Sequence, residues 1–75
     1  MDKYLSEISA YVEKQISEYK NKISKMTNKQ VLEEYKEICE VIHNLPYETP
    51  AYIYGFRINE KKALENEISY RNLII

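Results

Sequence analysis

Thr49-Pro50-Ala51-Tyr52-Ile53-Tyr54-Gly55-Phe56-Arg57-Ile58 is the stretch on which the fold turns. Its run of Tyr, Ile and Phe favours a strand. Thr49 followed by Pro50 instead matches a helix start, with threonine as N-cap and proline at the first helical position. The residues beyond, Asn59-Glu60-Lys61-Lys62-Ala63-Leu64-Glu65-Asn66-Glu67, have strong helical propensity. A lone strand would also find no partner strand elsewhere in the chain. The stretch therefore reads as the first part of one helix over 50–72, with a strand or turn through 51–58 as the competing reading.

Upstream, the signals are less divided. Thr27 and Gln30 stand at the spacing of a capping box, and Met26 and Val31 at that of a hydrophobic staple. Val31, Leu32, Tyr35, Ile38, Cys39 and Ile42 then share one face, while Glu33, Glu37 and Glu40 lie on the other. Asn44, Leu45 and Pro46 end this helix, because the residue before proline avoids helical angles. Its expected span is 28–44. Earlier still, Leu5, Ile8, Val12, Ile16, Tyr19, Ile23 and Met26 repeat at threes and fours, which predicts a helix over 3–25. Acidic Asp2 and Glu7 near its start, and Lys20, Lys22 and Lys25 near its end, suit the helix dipole. Such a helix is roughly 35 Å long, more than the second helix covers.

The chain thus reads as one all-α domain over 1–75, a small three-helix bundle or a helical hairpin with a long N-terminal helix. Seventy-five residues bury only ~60% of the surface the unfolded chain exposes. Chains this small usually need a disulfide, a metal or self-association. Cys39 is the only cysteine and His43 the only histidine, so self-association, as a homodimer or larger, is the expected support. Leu, Ile, Val and Phe make up about a quarter of the chain, above the ~20% typical of unfolded chains. The net charge of −1 adds little repulsion.

Composition also narrows function. No apolar run approaches the ~18 residues of a membrane span, and Met1-Asp2-Lys3-Tyr4-Leu5-Ser6-Glu7 has no hydrophobic leader core. With a lone cysteine, this points to the cytoplasm. Lysine and arginine are balanced by acids along the chain, with no basic stripe for a nucleic-acid backbone. Abundant Ile, Lys, Asn and Tyr beside one glycine and no tryptophan suggests AT-rich coding, as in a low-GC bacterium or its phage.

Chemistry-bearing clusters are sparse. Cys39 and His43 share a helical face, which is half of a metal site or a nucleophile pair. No third group lies within sequence reach, and the preferred reading is a packed cysteine on the apolar stripe, with His43 placed favourably at a helix C-terminus. The glutamates of the second helix repeat as on a solvated face, and the single Gly55 excludes a glycine-rich phosphate loop. No catalytic residue, cofactor or metal ligand is assigned.

Two features remain. Eight tyrosines are an excess, and tyrosine is enriched at contact surfaces. Tyr19 and Tyr35 fall on the core stripes, Tyr4 and Tyr11 on a flank of the first helix, and Tyr47, Tyr52 and Tyr54 around the second turn. In the third helix, Arg57, Glu60, Leu64, Glu67 and Arg71 fall at spacings of three and four. They form a charged stripe between two apolar edges, read as two intrahelical ion pairs or as a polar seam against a subunit or ligand. These residues make the expected function a non-catalytic regulator or inhibitor acting through protein–protein contact. The alternative is an oligomeric small-molecule binder, with tyrosines stacked on a nucleotide-like base and Arg57 or Arg71 on a phosphate.

Overall fold

The computed structural model describes the backbone of residues 2–74 and the side chains of residues 10–74. It consists of α1 (Asp2–Ser24), α2 (Asn28–His43) and α3 (Ala51–Tyr70), and among the described residues there is no strand. The all-α reading is borne out, and 51–58 is helical.

The start of α3 differs from the expected cap. Pro50 is the N-cap, at φ −57° and ψ 143°, and no side chain caps the helix. Its carbonyl accepts from the amides of Ile53 and Tyr54 at 3.1 and 3.2 Å. Thr49 stands one residue earlier because its own amide closes a turn onto the Pro46 carbonyl at 3.0 Å.

Between α1 and α2 the capping box forms as expected. The Gln30 amide donates to Thr27 Oγ1 at 3.2 Å, and the Thr27 amide donates to Gln30 Oε1 at 2.9 Å. Val31 is buried and Met26 packs against the same core, so both staple positions point inward. At the other end, α3 closes with a Schellman turn. Asn72 adopts φ 57°, the Asn72 amide donates to the Ser69 carbonyl at 3.1 Å, and the Leu73 amide donates to the Ile68 carbonyl at 3.0 Å.

Helix α3 is the middle element, packed along both α1 and α2, which touch each other far less. It runs with α1, since Val12 shares a hollow with Ile53 and Ile23 shares one with Ala63 and Tyr70. It runs against α2, since Arg71 reaches Asn28 and Tyr35 reaches Glu65. The result is flat, 43 × 28 × 15 Å between Cα atoms.

The core is lopsided. Ile23, Val31, Ile38, Ala63, Leu64 and Ile68 are buried, with Tyr19, Met26, Leu32, Tyr35, Ile42 and Leu73 packed around them. These come from the C-terminal half of α1, from the length of α2 and from the C-terminal half of α3. Val12 and Ile16 are only half-buried, as are Phe56 and Ile58 near the start of α3. The side chains of Leu5 and Ile8, the first members of the expected α1 stripe, lie outside the described residues.

Candidate binding surface

The charged stripe of α3 forms both expected ion pairs, with Glu60, Glu67 and Arg71 largely enclosed and the Arg57 side chain 42% exposed. Arg57 donates to Glu60 Oε1 at 2.8 Å, and Glu60 is itself buried at 8% exposure. Arg71 donates through Nε to Glu67 Oε2 at 3.2 Å, and both side chains are largely enclosed. The remaining Arg71 nitrogens are also engaged: one with Asn28 Oδ1 at 3.1 Å, the other with the carbonyls of Ile23 and Ser24, each at 3.2 Å. Those carbonyls lie at the C-terminus of α1, where helical backbone leaves acceptors unpaired. Arg71 therefore joins all three helices and has little left to offer a ligand. Spacing along α3 could not show this, because the groups it meets lie in distant parts of the chain.

Tyr19 and Tyr35 flank the core as expected, and each hydroxyl meets a carboxylate. Tyr19 donates to Glu34 Oε1 at 3.1 Å, and burial followed by the negative charge of Glu34 holds its phenol well above the usual tyrosine range. Tyr35 donates to Glu65 Oε2 at 3.3 Å. Burial, then the hydrogen bond and charge of Cys39, and then Glu65 push it up to about 12. Both phenols stay protonated at neutral pH and act as donors rather than bases.

Cys39 is half-buried beside Tyr35, and His43 is exposed at the end of α2. Among the described residues, no three His, Cys, Asp or Glu side chains converge as metal ligands.

The tyrosines separate once folded. Tyr47 is fully exposed in the α2–α3 connection, and Tyr54, half-exposed, does not line the groove that takes Tyr52. The Tyr4 side chain lies outside the described residues. Tyr11 and Tyr52, from different helices, come together with Arg57. With Val12, Ile53 and Phe56 they line a groove of about 690 Å³ between the N-terminal halves of α1 and α3. Tyr11 is 63% exposed and Tyr52 78% exposed, so large aromatic surfaces stand at its rim. Val12 belongs to the apolar repeat of α1, and Ile53 and Phe56 to the Tyr-, Ile- and Phe-rich run that opens α3. Their share in the groove follows from the core ending before it reaches them.

A second hollow, of about 510 Å³, lies further along the same two helices and contains Lys20, Glu67, Tyr70 and Arg71. Two of its polar groups are already paired with each other, and Arg71 is spent on backbone carbonyls. The aromatic groove is the better candidate surface. Comparison with family models, with characterised proteins and with solved structures finds no match to this chain.

Proposed function

We propose that this is a small non-catalytic binding protein, of the regulatory or inhibitory kind, acting through protein–protein contact at the groove between α1 and α3. The observation that carries the reading is the juxtaposition of Tyr11, Tyr52 and Ile53 around half-buried Val12 and Phe56. An apolar floor with tyrosines at the rim is the composition of a protein contact, where aromatic residues replace charged ones. The charge distribution favours this over a nucleotide pocket. Among the described residues Arg57 is the only charged one lining the groove, and Glu60 already answers it at 2.8 Å. A phosphate would have to displace that carboxylate.

Native mass spectrometry of the purified chain tests the proposal. The expected result is a polypeptide held by the wild type and released by Tyr52→Glu. A stoichiometric nucleotide, or an association indifferent to Tyr52→Glu, would overturn it.

A further inference from the structure

We infer that the first turn and a half of α3, residues 51–55, is a separately opening segment. It leaves and regains helical form while the rest of the chain stays folded, and it carries one wall of the α1–α3 groove. Only the consequence for binding rests on reading that groove as the contact surface.

Packing gives the first argument. Ala51, Tyr52, Ile53, Tyr54 and Gly55 are all exposed. Five successive residues go more than once round a helix of about 3.6 residues per turn, so no face of this segment is covered. A Cβ added at Gly55 meets nothing within 4 Å, which shows the same open space from the backbone outward. Coverage begins abruptly after it. Residues 56–59 are half-buried, Glu60 is buried, and Arg57 is tied to Glu60 at 2.8 Å. Among the described residues, the side-chain hydrogen bonds from α3 to the other helices come from Glu65 and from Arg71 at its C-cap. Residues 51–55 therefore give up little tertiary contact on opening.

Local energetics gives the second. Pro50 caps the helix without a side-chain acceptor, and the first turn holds no acidic residue to answer the helix dipole. Gly55 favours the unfolded chain, and Tyr52, Ile53 and Tyr54 favour extended backbone. Helix α2, by contrast, starts on the complete capping box of Thr27 and Gln30. A segment with little packing and no cap to hold it belongs to the low-stability end of a fold and opens on its own.

Tyr52 and Ile53 line the groove together with Tyr11 and Val12 of α1. Opening removes the α3 side of that wall, so the groove exists in the helical form alone. An occupant that touches Tyr52 and Ile53 orders the segment as it binds, and its apparent affinity is scaled by the helical fraction.

Native-state amide hydrogen exchange on the chain alone, followed by NMR over a series of low urea concentrations, tests the inference. The amides of Phe56 and Arg57 donate to carbonyls within the segment, one helical turn back, whereas Leu64 and Ile68 belong to the core. Phe56 and Arg57 should be protected at least about tenfold less than Leu64 and Ile68. Their exchange should hardly change with urea, since a local opening exposes little surface, while that of Leu64 and Ile68 accelerates. Gly55→Ala should slow exchange at Phe56 and Arg57 about two- to fivefold. Equal protection at all four amides, a shared urea dependence, or no slowing in Gly55→Ala would overturn the separate opening. The measurement involves no partner, so failure here leaves the groove to the mass-spectrometric test, and failure there leaves the opening in place.

Discussion

The guanidinium of Arg71 closes the C-terminus of α1 by donating to the carbonyl of Ile23 at 3.2 Å, across 48 residues of chain. The same side chain holds Glu67 of its own helix and Asn28 at the start of α2. A planar fork suits this work, since each nitrogen meets an acceptor in a different direction.

Replacement of Arg71 should therefore cost far more than loss of an exposed ion pair. Arg71→Ala is expected to destabilise the chain by about 2 kcal/mol, the scale of a hydrogen bond to a charged group. Arg71→Lys should recover less than half of it, because an ammonium cannot span Glu67 and two carbonyls together. Urea unfolding with an unchanged slope would measure both. A loss of only a few tenths of a kcal/mol, typical of a surface pair, would show that the clasp contributes nothing beyond Glu67.

Gly55 lies within α3, and a Cβ added there meets no atom within 4 Å. Its φ is not positive, so no backbone conformation demands glycine. Gly55→Ala should stabilise the chain by about 0.5–1 kcal/mol through reduced freedom of the unfolded state. The thermal midpoint should rise accordingly. A fall would mean that 51–58 is not continuous helix in solution.

Alkaline pH should destabilise the chain through its two core-edge phenols. Tyr19 and Tyr35 both have folded pKa values raised above the ordinary tyrosine value of 10.0, Tyr35 to about 12. A raised acid is more protonated when folded, so its contribution is complete below pH 10.0 and is lost as pH climbs toward 12. Urea midpoints taken across that window should fall steeply for the wild type. The double variant Tyr19→Phe, Tyr35→Phe should show a shallower decline, and an identical decline would remove these two groups as the cause.

The sequence alone determined where the helices lie. The capping box of Thr27 and Gln30, the breaker at Pro46 and the apolar repeat of α1 act over four residues or fewer, and the structure starts and stops each helix within two residues of the expected bounds. Only tertiary structure decided which faces those helices use. Helix α3 is contacted from two sides, so its apolar residues do not gather on one stripe, and the pattern over 51–58 left strand and helix both open. The charged stripe looked available for the same reason. Local spacing correctly paired Arg57 with Glu60 and Glu67 with Arg71, but it could not show that α1 would place its last carbonyls against Arg71. Nor could it join Tyr11 to Tyr52, because their meeting depends on α1 and α3 running in the same direction with the buried core displaced to one end. Cap and period energies are local and can be read along a chain, whereas a groove exists only where two distant segments approach and the core fails to fill the space between them.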